Sequence, residues 1–197
     1  IYTLSLHDAL PICLYHLYGL KDTALKWLTS YLQNRYQSVV INSSVTKPSL
    51  LQFGVPQGSV LGPKMYIMFT KPLGDLISRH GLGYHMYADD TQIYVSFSKN
   101  NIHDQEQAIQ RLEACLNDLI LWMEDNMLKL NGEKTEFLLF APKNCKGLDA
   151  LSVKVGDLSI TPSSQVRNLD VIYDSLMTMQ PHVKNVTRSC YLHLRTI

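Results

Sequence analysis

The 197-residue chain is nearly neutral, because its 18 lysines and arginines are balanced by 17 acidic residues. Hydrophobic residues make up 46% of the sequence, which is enough for one packed domain or for a large piece of one. A net charge of +1 argues against a protein that coats nucleic acid through a global positive field. Any binding to such a polymer must therefore come from a local groove.

Neither secretion nor a membrane anchor is indicated by the sequence. The four cysteines lie far apart and form no Cys-x-x-Cys pair, which argues against a zinc site and against a disulfide framework. No apolar stretch approaches the length of a membrane span. We therefore expect an intracellular protein, in the nucleus or the cytoplasm, with reduced thiols and no membrane partner.

The first residues do not fit the rest of the chain. The segment Ile1–Ile12 has no basic region and no small-residue cleavage site, so it is not a signal peptide. It resembles the peptide encoded by a sequencing adapter, and the chain has no initiating methionine. We expect residues 1–13 to be foreign and disordered, and the chain to be a fragment.

The predicted elements begin with leucines near helical spacing from Leu14 to Leu32, which Gly19 divides into two helices. The pattern then predicts strands over 37–42 and 50–53, a helix over 65–77 that Pro72 kinks or ends, a hairpin over 85–97, a helix over 104–128, strands over 136–140, 151–155 and 169–173, and a helix over 181–194. Helices and antiparallel strands in this order predict an α+β fold, an antiparallel sheet with helices on one face.

The most informative motif is Tyr87-Ala88-Asp89-Asp90, which we place at the turn of the predicted hairpin. Adjacent carboxylates repel each other, so a fold that aims both at one place usually supplies a cation. Oxygen ligands suit Mg²⁺ or Mn²⁺, the ions used in phosphoryl transfer. By itself the tetrapeptide is a weak signal, and a surface Asp-Asp turn is the alternative.

Several further motifs in a fixed order make the chain resemble the palm of a reverse transcriptase from a non-LTR (LINE-type) retrotransposon. The similarity runs from Leu14 to Ile197. It is carried by Trp27–Arg35, by the run GVPQGSVLGP at Gly54–Pro63, by YADDTQIY at Tyr87–Tyr94, by Trp122, by Leu128–Asn131 with Lys134–Glu136, and by Val166–Leu169 leading to Asp174 and His182. The order and spacing of these pieces, more than any one of them, indicate the family.

The resemblance implies an RNA-directed DNA polymerase that works by two-metal-ion nucleotidyl transfer. Its partners would be an RNA template, a DNA primer and dNTPs, and its cofactor Mg²⁺ or Mn²⁺. Asp89 and Asp90 would hold the metals at the primer terminus, with Asp89 the stronger candidate for a direct ligand and Asp90 partly in the outer shell. The sequence does not indicate an oligomeric state.

The resemblance also implies a nucleotide- and template-binding set. Gly58 would let the backbone approach the template and the incoming nucleotide, Pro56 would fix the bend, and the Gln57 amide could donate and accept toward a base or sugar. A plain Gly/Pro loop entering a helix is the alternative. Lys134 matches a lysine near the triphosphate that could stabilise the leaving group, and a solvated lysine is the alternative.

The chain departs from the family pattern at several positions. The family's metal site needs a further Asp from an upstream strand, and the surroundings of Asp8 do not fit that motif. Asp170 stands where the family generally has Gly, and Thr70-Lys71-Pro72 departs from an Asn-Asp often found there. If position 170 requires a positive φ, Asp is tolerated less well than Gly.

We therefore expect a palm core over 14–142 and the C-terminal end of the palm, leading toward the thumb, over 143–197. The fingers and most of the thumb are not in the sequence, and without the third carboxylate we expect no polymerisation by the chain as given. Two alternatives are a catalytically dead nucleic-acid-binding or interaction domain and the translation of a degraded element. A group II intron maturase fits the spacing of the C-terminal half less well.

Overall fold

A computed structural model describes residues 6–51, 54, 58–142 and 151–195. Its α-helices are α1 (Leu6–Tyr18), α2 (Asp22–Leu32), α3 (Leu61–Arg79), α4 (Ile102–Asp125) and α5 (Gln180–Leu194), and a short 3-10 helix covers Gly132–Lys134. Its strands are β1 (Tyr36–Gln37), β2 (Val40–Ile41), β3 (Ser44–Val45), β4 (Ser49–Leu50), β5 (Gly83–Tyr87), β6 (Asp90–Tyr94), β7 (Phe137–Leu138), β8 (Val153–Val155), β9 (Leu158–Ile160), β10 (Pro162–Ser163), β11 (Gln165–Asn168) and β12 (Val171–Asp174).

The mixture of helices and small antiparallel sheets confirms the α+β class. One continuous antiparallel sheet was expected, and the described strands instead form separate two-stranded pairs. Strands β7 and β10 pair in parallel, and the other pairs are antiparallel. No described helix combines the length and the apolar character needed to cross a membrane.

The chain divides into two compact units, the first formed by residues 1–95 and 117–130 and the second by residues 96–116 and 131–197. Helix α4 therefore begins in the second unit and ends in the first. The predicted division at residue 142 into a palm core and a C-terminal part stays a prediction.

The first unit has a hydrophobic core between α1, α2 and α3. Leu10, Leu14 and Phe69 are completely buried, and the Phe69 ring lies 6.0 Å from the ring of Trp122 in α4. Burying each of these side chains stabilises the fold by about 1.5–3 kcal/mol. Helix α1 begins inside the segment that we expected to be foreign, and Leu10 belongs to this core. The origin of that segment stays a prediction.

Helix α3 continues through Pro72 to Arg79, beyond the predicted end of the helix. A proline has no N–H, so the carbonyl of the residue four positions earlier, Met68, loses its helical donor. The hydroxyl of Tyr18 in α1 donates to this carbonyl at 3.1 Å. The tertiary contact replaces the missing helical hydrogen bond, which explains how the helix tolerates the proline.

The second unit contains the strand pairs of β7 to β12 and the last helix, α5. Val153 and Val155 are buried on β8, and Leu112 and Leu116 are buried on α4. The strand predicted over 169–173 is shifted. Leu169 and Asp170 form the turn between β11 and β12, and the second strand begins at Val171.

Candidate active site

The hairpin β5–β6 presents the Asp pair. The last paired residues of its ladder are Tyr87 and Asp90, so Ala88 and Asp89 form a two-residue turn. The prediction that both carboxylates occupy the turn is therefore wrong for Asp90, which is the first residue of β6. Ala88 has φ of +53°, a left-handed conformation that costs an L residue about 1–2 kcal/mol. Such strain is common at functional sites.

The two carboxylates lie in different surroundings. Because directly paired residues share a face of the ladder, Asp90 lies on the same face as Tyr87, Gln92 and Tyr94. Asp89 interacts instead with Tyr66 on α3. Burial raises the pKa of the Tyr66 phenol, and the negative charge of Asp89 raises it further.

The pair fits part of a divalent-metal shell. Both residues are exposed and offer only oxygen donors, which Mg²⁺ and Mn²⁺ prefer. Mg²⁺ in enzymes is commonly held by one or two carboxylates, with substrate phosphates and water completing the octahedron. Within the described ranges, no group of three or more His, Cys, Asp and Glu side chains could hold a metal by itself.

The outer face of the hairpin also carries an aromatic stack. Tyr94 is paired with Gly83, and a Cβ at Gly83 would lie 2.9 Å from the Tyr94 ring atom Cδ2, so the glycine makes room for the ring. The ring of His85 stacks on Tyr94 with 5.4 Å between the ring centroids. This stacking gives His85 a packing role in the hairpin.

The Gly/Pro/Gln run is only partly described. Pro56 and Gln57 lie outside the described residues. Gly54 and Gly58 have φ of +78° and +80°, and a Cβ on either would meet no atom within 4 Å. The backbone conformation, and not lack of space, therefore favours glycine here. Ring atom Nε2 of His7 in α1 lies 2.8 Å from the carbonyl oxygen of Gly54.

Lys134 ends the short 3-10 helix in the second unit. Its backbone N–H donates to the side-chain oxygen of Asn131 at 3.3 Å, and its own side chain is exposed. This exposure suits both a phosphate-binding lysine and a solvated one, so its role stays a prediction.

Sequence reasoning missed Tyr66. It is a half-buried aromatic residue in an apolar helical run, and its spacing from Pro63 gave no reason to single it out. Only the tertiary contact of α3 with the hairpin brings its hydroxyl group under the influence of Asp89.

The comparison with protein families decides the identity of the chain. Residues 11–173 match the family described as "Reverse transcriptase (RNA-dependent DNA polymerase)". The chain belongs to this reverse transcriptase family. The Asp pair and both glycines lie inside the matched range, and the predicted resemblance to a LINE-type element is confirmed.

Two relatives of this reverse transcriptase chain are polymerases from mobile elements of Drosophila melanogaster. It is 32% identical over 180 residues to "Probable RNA-directed DNA polymerase from transposon BS", covering 86% of this chain and 19% of that protein. It is 26% identical over 168 residues to "RNA-directed DNA polymerase from mobile element jockey", covering 81% of this chain and 17% of that protein. The chain thus spans less than a fifth of the length of these relatives. No solved structure matches the reverse transcriptase chain.

Proposed function

We propose that this chain is palm sequence of a retrotransposon polymerase that copies an RNA template into DNA by adding dNTPs to a DNA primer. The observation that carries the proposal is the exposed Asp89-Asp90 pair at the tip of the β5–β6 hairpin, inside the range that matches the reverse transcriptase family. The similarity to proteins named as RNA-directed DNA polymerases of mobile elements supports the same activity.

Asp89 and Asp90 would hold Mg²⁺ or Mn²⁺ through their carboxylate oxygens. The metals, when bound, would lower the pKa of the primer 3′-hydroxyl and offset negative charge on the transferred phosphoryl group. A two-residue turn holds the carboxylates rigidly, because both flanking residues are fixed by the pairing of β5 with β6. Asp89, in the turn itself, is the direct ligand, and Asp90, on the outer face of β6, supports the shell.

Gly58, Pro56 and Gln57 would line the template and the incoming nucleotide, and Lys134 would neutralise triphosphate charge. Support for Gly58 comes from its positive φ, which favours glycine at this position. Because glycine has no Cβ, the backbone there can approach a bound base or phosphate closely. Support for Lys134 comes from its exposed side chain. An ammonium group near the leaving pyrophosphate would stabilise the developing charge.

On its own, the 197-residue chain is expected to bind metal weakly and not to extend a primer. The described residues supply one carboxylate pair, whereas a rigid two-metal clamp needs a further ligand. Titration with Mn²⁺, followed by the electron paramagnetic resonance of the free ion, should show weak binding that Asp89→Asn reduces about tenfold. Asp75→Asn, an exposed carboxylate paired with Lys71 in the same unit, is the matched control and should leave Mn²⁺ binding unchanged.

The polymerase activity is tested by exchange into a full-length relative. Residues 14–173 would replace the matching segment of the transposon BS polymerase, and extension of a DNA primer on an RNA template would be measured. We expect extension that Asp89→Ala abolishes. A folded chimera that extends equally well with Asp89→Ala would overturn the proposal. Extension by the isolated 197-residue chain, lost in Asp89→Ala, would instead overturn only its expected inactivity.

A further inference from the structure

One long stretch of this nearly neutral chain carries positive charge without any negative charge. No acidic residue occurs between Asp22 and Asp75, although the whole chain has 17. The stretch carries five basic residues, namely Lys26, Arg35, Lys47, Lys64 and Lys71. Since the net charge of the chain is only +1, the rest of the sequence is net negative. This stretch is therefore suited to contact with a polyanion.

The positive charges of the stretch are largely uncompensated. Lys71 pairs with Asp75 at 3.2 Å, which offsets its charge. No carboxylate of the described residues forms an ion pair with Lys26, Lys47 or Lys64. Arg35 lies over the ring of Tyr31 and donates to the Tyr31 carbonyl, so it keeps its charge without an acidic partner.

The middle of the stretch is an exposed antiparallel ribbon, residues 36–50. Strands β1 and β4 pair at its base and β2 and β3 at its tip, where Asn42 adopts φ of +54°. Every residue of the ribbon is exposed, including Tyr36 at 65% and Ile41 at 66%. An isolated two-stranded ribbon is marginally stable in water, and exposed apolar patches usually mark interaction sites.

We propose that the ribbon binds single-stranded RNA, with Lys47 contacting phosphates and Tyr36 stacking on an unpaired base. Lys47 is the one charged residue of the ribbon and forms no ion pair with a described carboxylate, which favours a polyanion over a protein partner. An exposed tyrosine favours single strands, because a base must be unstacked to meet a ring face. That the strand is the template rests on the proposed polymerase function. The binding itself does not depend on metal or on catalysis.

Fluorescence anisotropy of a labelled single-stranded RNA 20-mer with the full 197-residue chain tests the ribbon. We expect Tyr36→Ala to weaken binding about tenfold. Lys47→Gln should weaken it about threefold and lower the slope of log K against log salt by about 0.7. Lys154→Gln, on an exposed position of β8, and Tyr15→Ala, an exposed tyrosine outside the stretch, are the controls and should bind like the unmodified chain.

Several outcomes would overturn the ribbon site. Circular dichroism spectra matching the unmodified chain establish that each variant is folded. Folded ribbon variants that bind RNA as tightly as the controls would contradict the proposal, as would preference for duplex over single-stranded RNA. A concentration-dependent dimer that Ile41→Ser abolishes would assign the ribbon to a second copy of the chain. Asp89→Ala should leave RNA binding unchanged, so a failed polymerase assay and a failed ribbon assay are distinguishable.

Discussion

Asp170 occupies a turn that favours glycine. The two turn residues between β11 and β12, Leu169 and Asp170, have φ of +45° and +64°. Positive φ at both positions is the pattern of a type I′ turn, in which glycine is preferred as the second residue. The condition under which aspartate is tolerated less well than glycine at this position is therefore met.

Replacing Asp170 with glycine should stabilise the protein. Asp170→Gly removes the left-handed penalty and loses only the ion pair with Arg167, whose two side chains are 65% and 90% exposed and which contributes little. We expect the free energy of unfolding in urea to rise by about 0.5–1 kcal/mol. Asp157→Gly is the control, since Asp157 holds the second position of the β8–β9 turn without a positive φ. Equal effects of the two substitutions would contradict the explanation by backbone strain.

At the scale of single elements, α3 depends on a contact from α1. Pro72 leaves the Met68 carbonyl without its helical donor, and the Tyr18 hydroxyl supplies one. Burial raises the pKa of Tyr18, as expected for a phenol held against a neighbouring helix. The hydrogen bonding of α3 is thus completed by a residue of another helix.

Removing the Tyr18 hydroxyl should destabilise α3. Tyr18→Phe leaves the Met68 carbonyl unsatisfied, and we expect a loss of about 1–2 kcal/mol in urea unfolding. In a Pro72→Ala background, which restores the helical N–H, the same substitution should cost less, and the double-mutant cycle measures this coupling. Tyr15→Phe in the same helix is the control, because that ring is 43% exposed. Additive effects of Tyr18→Phe and Pro72→Ala would show that the hydroxyl does not replace the proline's missing donor.

The sequence predicted where the helices and the hairpin lie more accurately than it predicted where they end and what they contact. The apolar periods located α2 to α5 and the hairpin of the Asp pair, because periodicity records which face is buried. The predicted end of α3 came too early in the chain. Pro72 would end the helix only if no other group donated a hydrogen bond to the Met68 carbonyl, and Tyr18 does so. Asp90 was misplaced by one position, because the length of a turn depends on pairing across the hairpin. Tyr66 was missed because the electrostatic effect of Asp89 on it depends on tertiary structure.

At the scale of the whole molecule, the part of the chain that the structure describes buries charge in one place. Among the described residues, Asp174 is the only charged side chain that is buried, and it is the last residue of β12. Its Oδ1 accepts from the backbone N–H groups of Leu176 and Thr178, and its Oδ2 accepts from the N–H of Met179 and the hydroxyl of Thr178. One carboxylate thus organises the whole connection from the last strand to the last helix.

The stability of the chain toward acid should depend on this carboxylate. Burial acts to raise the pKa of Asp174, but the hydrogen bonds from Thr178, Met179 and Leu176 outweigh it and hold the pKa below its ordinary value. A lowered folded-state pKa means that the stabilisation is present above the unfolded-state pKa, about 3.9, and is lost as the pH falls through the folded-state value. We therefore expect Asp174→Asn to lower the unfolding midpoint at pH 7, and the difference to shrink below about pH 4.

Thermal unfolding by circular dichroism between pH 7 and pH 2.5 measures this dependence. Asp170→Asn is the control, since it removes an exposed carboxylate from the same unit, suits a left-handed turn and should change stability by less than about 0.5 kcal/mol. A constant gap between Asp174→Asn and the unmodified chain across this range would mean that Asp174 acts through its shape and not through its charge. A gap that closes on acidification would assign the stability of the β12–α5 connection to an ionised carboxylate held by backbone donors.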